Sequence, residues 1–99
     1  MIDFNYLEDF AAGDRQVVDE VLLLFVQEAE AWSQSLSQAG PSWRDTVHTM
    51  KGSARGIGAG PLGDACERAE AAGILELPKV AAALGAALAA IAAYQATRR

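Results

Sequence analysis

Apolar residues recur every three or four positions between residues 14 and 39, with polar residues between them. They are Val18, Val21, Leu22, Phe25, Ala29, Trp32 and Leu36. Because an α-helix turns once in about 3.6 residues, this spacing places them on one stripe of a helix that packs against a core. Asp14 predicts an N-cap, and the run AGPS at 39–42 predicts that the helix ends at about Ala39.

The rest of the chain predicts four more helical segments, separated by glycine and proline. They cover 3–11, 42 to about 57, 61 to about 72, and 78 onward; the apolar positions assigned to the first and last are Phe4, Leu7, Phe10 and Val80, Leu84, Leu88, Ile91. Ser42 with Asp45 resembles a capping box at the start of the third segment. Short connections between four longer helices predict an all-α fold, an antiparallel four-helix bundle with a short extra N-terminal helix covering one end.

Composition and charge narrow the class of protein. The 99 residues are expected to form a single domain, 1–99, and the net charge of −5 argues against a nucleic-acid partner. The single cysteine, Cys66, is expected to be a small buried core residue in a reducing compartment. The N-terminus lacks a signal-peptide pattern, and the alanine-rich run at 80–94 is interpreted as a core helix and not a membrane span. A cytoplasmic location without a membrane partner is therefore expected.

The third segment has two distinct faces. Trp43, Val47, Met50, Ala54 and Ile57 fall together on the side that should meet the core. A second stripe, turned roughly 130° from the first, carries Arg44, His48, Lys51 and Arg55. His48 is the only histidine of the chain and is predicted to be exposed. Gly52 lies one helical turn after it, where it leaves open space beside the imidazole.

A neutral imidazole near cations can accept a phosphoryl group and pass it on. Arg44, Lys51 and Arg55 would offset the negative charge of the phosphoryl oxygens. The sequence has no glycine-rich phosphate loop and no paired carboxylates arranged for Mg²⁺, and one histidine with one cysteine makes no recognisable metal site. Any phosphoryl group on His48 is therefore expected to come from another protein and to be transferred to another protein.

The stretch HTMKGSARGIGA at 48–59 closely resembles the active-site helix of histidine-containing phosphotransfer (HPt) domains, and LLLFVQEA at 22–29 resembles their second helix. The resemblance implies a monomeric bacterial phosphorelay protein, with His48 as phosphoacceptor, Lys51 assisting electrostatically and Gly52 giving clearance to a partner. It implies response-regulator receiver domains and a (hybrid) histidine kinase as partners. It implies no cofactor of its own, because the receiver brings the Mg²⁺. The chain also has no room for a nucleotide-binding domain, so no autokinase or ATP-binding activity is expected.

Several alternatives stay open at this point. Gly52 could serve close packing against the second helix, and Arg44 and Arg55 could serve partner binding or solubility. Leu23 projects roughly 140° away from the core stripe and suits an apolar docking patch, unless the first helix covers it. The chain could also be a non-catalytic helical adaptor that binds a signalling partner through the same face. The histidine helix of dimeric sensor kinases fits less well, because no acidic residue follows His48.

Overall fold

The computed structural model describes residues 2–97. Every secondary-structure element within these residues is a helix. The α-helices are α1 (Phe4–Phe10), α2 (Arg15–Gln38), α3 (Trp43–Gly56), α4 (Gly60–Ala72) and α5 (Leu77–Thr97), with a short 3₁₀ turn at Ile74–Glu76 between the last two. Helices α2 to α5 each pack against the next, and α5 returns to α2. The predicted four-helix bundle is confirmed.

Cross-helix contacts show that neighbouring helices run antiparallel. Ser35, near the end of α2, hydrogen-bonds Thr46 near the start of α3 at 3.0 Å. Arg44 at the start of α3 reaches Glu70 near the end of α4, and Arg55 at the end of α3 reaches Asp64 near the start of α4. Short connections impose this arrangement, because they leave the chain no room to cross the bundle before the next helix begins.

Helix α1 lies across the end of the bundle where α3 and α5 finish. The backbone N–H of Asp3 donates to the carbonyl of Gly58, and the ring of Phe4 stacks on Tyr94 with centroids 4.0 Å apart. The hydroxyl of Tyr94 donates to Glu8 at 2.7 Å. Leu7 is buried, whereas Phe10, predicted to lie in the same stripe, is the last residue of α1 and is 72% exposed.

The core stripe predicted for α2 is buried except for Val21, which is half-buried. The core residues predicted for the third and last helical segments are also buried, except Trp43 and Leu88, which are half-buried at the edge of the core. Cys66 is fully buried, as predicted. Burial raises the pKa of its thiol to about 11, so the reactive thiolate is scarce near neutral pH.

The capping box predicted at Ser42 is wrong. Its side chain makes no capping hydrogen bond, and its backbone (φ −91°, ψ 10°) is already close to helical. An N-cap residue whose side chain bonds the helix typically has an extended, non-helical backbone. Instead, a turn precedes α3, in which the N–H of Trp43 donates to the carbonyl of Gly40. The predicted N-cap at Asp14 is confirmed, since its carboxylate accepts from the N–H groups of Gln16 and Val17.

Candidate functional site

His48 lies near the middle of α3, on the face turned away from the core. Its neighbours Val47 and Met50 are fully buried, and this fixes the rotation of the helix. The imidazole is therefore directed outward and its side chain is 71% exposed. The predicted exposure of the histidine is confirmed.

The imidazole is nevertheless anchored on one side, by a residue that the sequence analysis missed. Glu70 in the last turns of α4 places its carboxylate oxygen Oε2 3.0 Å from Nδ1 of His48. Its other oxygen, Oε1, lies 2.6 Å from Nζ of Lys51. Glu70 thus bridges the histidine and the lysine, which stand one helical turn apart on α3.

The charge state of Glu70 decides how the histidine presents its nitrogens. Lys51, and after it His48, hold the pKa of the Glu70 carboxyl below its ordinary value of 4.5. At neutral pH the carboxylate is ionised and can only accept hydrogen bonds. A neutral imidazole beside it must therefore carry its proton on Nδ1 and donate to Oε2. The unprotonated nitrogen, with its nucleophilic lone pair, is then Nε2, on the solvent side.

The predicted stripe of cations exists, but each cation already has a neighbour on α4. The side chain of Lys51 is only 19% exposed, and Glu70 holds its ammonium close to His48. The guanidinium of Arg55 lies 3.5 Å from Glu67 and 3.9 Å from Asp64. Because Arg55 is also two turns, about 10 Å, along the helix from His48, it is poorly placed to meet a phosphoryl group there.

Arg44 is directed at the backbone of α4. Its Nη1 donates to the carbonyl of Glu70, and its guanidinium lies over the ring of Trp43, 4.6 Å from the centroid. The structure thus brings together His48, Lys51 and Arg44 around Glu70, and separates Arg55 from them.

Gly52 adjoins open space. A methyl group placed on its Cα would meet no atom within 4 Å outside its own helix. The alternative that this glycine permits close packing against α2 is therefore wrong. An exposed glycine inside a helix costs about 1 kcal/mol relative to alanine, and here that cost leaves the approach to His48 unobstructed.

The chain matches a known protein family over most of its length. The model of the Hpt domain family matches residues 20–94, most of the chain. The chain belongs to the Hpt domain family. Its structure is similar to the crystal structure of the histidine phosphotransferase ShpA from Caulobacter crescentus, with a TM-score of 0.88 and 52% identity over 98% of this chain and 92% of that one. A comparison with curated protein sequences gives no match.

Family membership establishes the general role of this Hpt domain. It acts in histidine phosphotransfer within two-component phosphorelays, and proteins of this family interact with receiver domains and histidine kinases. The family resemblance found in the motif at 48–59 is confirmed.

An apolar groove runs beside the His48 helix of the Hpt domain, between α2 and α3. It encloses about 290 Å³. Its lining residues are Phe10, Val21, Leu24, Phe25, Glu28, Ser53, Gly56 and Ile57. Leu23 is 53% exposed, so the alternative that α1 covers it is wrong, but the leucine that lines this groove is Leu24, which is 58% exposed. The sequence signal for Leu24 is its position one turn after Val21, at the edge of the core stripe.

Among residues 2–97, one helical segment, formed by the 3₁₀ turn and α5, is long and apolar enough to cross a membrane by length and composition alone. It covers Ile74–Thr97 and has a mean hydropathy of 1.8. One face of it, including Val80, Leu84 and Ile91, is buried against the bundle. This burial supports the interpretation of the segment as a core helix.

Proposed function

We propose that Nε2 of His48 accepts a phosphoryl group from the aspartyl phosphate of a receiver domain and passes it to an aspartate of another receiver. The observation that carries this proposal is the contact between Nδ1 of His48 and Glu70, which leaves Nε2 unprotonated on an exposed side chain. Nucleophile and orienting carboxylate are thereby held by two helices of a rigid bundle.

The transfer exchanges one bond to phosphorus for another. The lone pair of Nε2 attacks phosphorus, the N–P bond forms, and the bond between phosphorus and the aspartyl oxygen breaks, so that aspartate leaves as a carboxylate. Because Nδ1 keeps its proton, the ring becomes positively charged. The Glu70 carboxylate, 3.0 Å from Nδ1, offsets that charge, and transfer to the next receiver reverses the same steps.

The proposal divides the reacting groups between the two proteins. In the proposal, the aspartate and the Mg²⁺ that it binds belong to the receiver, whereas Lys51 offsets charge on the phosphoryl oxygens from the histidine side. The groove containing Leu24, with Leu23 beside it on α2, is proposed as the apolar docking surface, because Gly52 and Gly56 leave the neighbouring surface of α3 open. We further propose that the protein acts as a cytoplasmic monomer without a nucleic-acid or membrane partner.

The experiment that tests the proposal mixes the protein with a phosphorylated receiver domain. We expect radioactive phosphate to move to this chain and to be acid-labile and base-stable, as a phosphoramidate is. An adaptor that only binds would form a complex with the receiver while leaving the phosphate on the receiver. That second result would overturn the proposal and support the adaptor.

Lys51→Ala is expected to slow receiver-dependent phosphorylation by about tenfold, the effect of roughly 1.4 kcal/mol in the transition state. The reason is that Lys51 shares the Glu70 carboxylate with His48, so its ammonium is placed to neutralise the oxygens of a phosphoryl group on His48. Arg55→Ala is the matched control and should change the rate less than about twofold, because Asp64 and Glu67 engage that guanidinium. Stopped-flow or quench-flow rates measure both. Equal rates for wild type and Lys51→Ala would show that the lysine has no part in transfer.

Glu70→Gln is expected to slow phosphorylation by a small phosphodonor by about tenfold, the loss of one charge-assisted interaction. The amide is neutral, so it no longer offsets the positive ring. Glu67→Gln makes the same change three residues away on α4, beside Arg55, and should leave the rate unchanged. If both variants react equally slowly, the effect comes from net charge and Glu70 has no specific role.

The lowered pKa of Glu70 also predicts a pH dependence of stability. A carboxyl whose pKa falls on folding stabilises the native state fully above its ordinary pKa, and this contribution disappears as the pH falls through the folded value. We therefore expect the stability difference between wild type and Glu70→Gln to diminish only below pH 4.5. Chemical denaturation at a series of pH values measures it.

A further inference from the structure

The guanidinium of Arg44 binds the backbone of α4, and direct contact with a phosphoryl group on His48 does not explain this interaction. Its hydrogen bond joins the first turn of α3 to the last turns of α4, and the guanidinium lies over the Trp43 ring, 4.6 Å from the centroid. A guanidinium held over an aromatic ring by a cation–π contact loses less conformational freedom when it donates a hydrogen bond. The Arg44 side chain is therefore well suited to fix a backbone group of α4 in place.

The group that Arg44 holds is a carbonyl without a partner in its own helix. The last carbonyls of an α-helix lack the N–H groups that would follow in a longer helix. In α4 the carbonyl of Ala69 still accepts from the N–H of Gly73. The partner of the Glu70 carbonyl would be the N–H of residue 74, but the chain turns away at Gly73, whose φ is +108°. Arg44 supplies the missing donor and its positive charge suits a helix C-terminus.

The residue that Arg44 fixes is the one that contacts the histidine. The backbone of Glu70 is bound by Arg44, and its carboxylate contacts Nδ1 of His48 and Nζ of Lys51. A displacement of this turn of α4 would change the distance between the carboxylate and the imidazole, and with it the preference for a proton on Nδ1.

We infer that Arg44 is a positioning residue of the phosphotransfer site: it holds the Glu70 turn of α4 so that the carboxylate keeps the proton of His48 on Nδ1. This inference rests on the proposed function of His48. It assigns to Arg44 a role within the site, in place of the partner contact that the sequence suggested.

The test compares Arg44→Ala and Arg44→Lys with the wild-type protein, with Arg68→Ala as control. Arg68 is exposed and lies on α4, the helix that Arg44 contacts, and its removal makes the same change of charge. Two readouts are used: the ¹⁵N chemical shifts of the His48 ring, which report the proportion of the two tautomers, and the rate of phosphorylation by acetyl phosphate. The small donor needs no docking surface, so it separates positioning from partner binding.

In Arg44→Ala we expect a smaller proportion of the Nδ1–H tautomer and a rate lower by about twofold to tenfold, the range for one lost hydrogen bond. Arg44→Lys, which keeps a cationic donor, should recover part of both, and Arg68→Ala should change neither. An Arg44→Ala protein with the wild-type tautomer ratio and acetyl phosphate rate, but slower transfer from a receiver, would overturn the inference and make Arg44 a docking contact. If wild-type His48 takes no phosphate at all, the proposed function fails, while the tautomer measurement still decides the role of Arg44.

Discussion

His48→Gln is expected to abolish phosphorylation of this Hpt domain while leaving its fold intact. Glutamine keeps a polar side chain with an N–H that can still donate to Glu70, but it has no nucleophilic ring nitrogen. Because the side chain is 71% exposed, the free energy of unfolding should change by no more than about 0.5 kcal/mol. Receiver-dependent labelling with radioactive phosphate, alongside thermal denaturation, measures both quantities.

The same variant separates phosphotransfer from simple binding. His48→Gln should still bind the receiver, since the groove beside α3 and the open position at Gly52 are unchanged. Retained binding with no phosphate on the variant is the result expected of a lost nucleophile. Phosphate on His48→Gln at the wild-type rate would show that another residue is the acceptor.

Gly52→Gln is expected to reduce phosphorylation by a receiver at least tenfold without reducing phosphorylation by a small phosphodonor. The glutamine side chain would stand one turn from His48, in space that is empty in the free protein. A receiver must bring its aspartyl phosphate into that space, whereas acetyl phosphate can reach Nε2 around the side chain. Transfer rates with both donors on the same protein preparation test this expectation.

Stability provides an independent check on the variants of Gly52. Gly52→Ala should raise the free energy of unfolding by roughly 0.5–1 kcal/mol, the difference in helix propensity, and Gly52→Gln should keep much of that gain. Gly85→Gln is the matched control: Gly85 is also an exposed helical glycine beside open space, but lies on α5. The Gly85→Gln variant should have a higher free energy of unfolding than wild type and an unchanged rate of phosphate transfer. A Gly52→Gln protein that transfers phosphate from a receiver at the wild-type rate would contradict the role of Gly52 as clearance.

The orientation of α3 could be predicted from the sequence because it depends on local periodicity. The core residues Val47, Met50 and Ala54 set the rotation of the helix, and that rotation alone exposes His48. The bundle itself was predictable for a related reason, since four amphipathic segments with short connections have few ways to bury their apolar faces.

Glu70 could not be predicted, because its role depends on the register between two helices. The sequence places it one residue after the buried Ala69, at the edge of the core face of α4. Whether Glu70 meets Lys51, His48 or Arg44 depends on the position of α4 along the axis of α3. The turn at residues 57–59 and the side chains packed between the two helices determine that position. The same register carries Arg55 to Asp64 and Glu67, and so away from the role that its place on the cationic stripe suggested.

The choice of Leu23 for the proposed docking surface was a smaller error of the same kind. Helical angles correctly predicted that Leu23 is exposed, but they do not show which neighbouring helix adjoins each exposed residue. Leu24 faces the groove shared with α3 because α2 contacts α3 on that side. A pattern within one helix contains no information about the position of the next helix.

The central claim is that Glu70 holds the proton of His48 on Nδ1 and leaves Nε2 to take the phosphoryl group. The most direct test is an NMR measurement on ¹⁵N-labelled protein before and after phosphorylation by a receiver, in which two-bond correlations to the ring protons identify each nitrogen. We predict a protonated Nδ1 in the free protein and phosphorus bonded to Nε2 of His48 in the product. Phosphorus on Nδ1, or on any other residue, would contradict this mechanism.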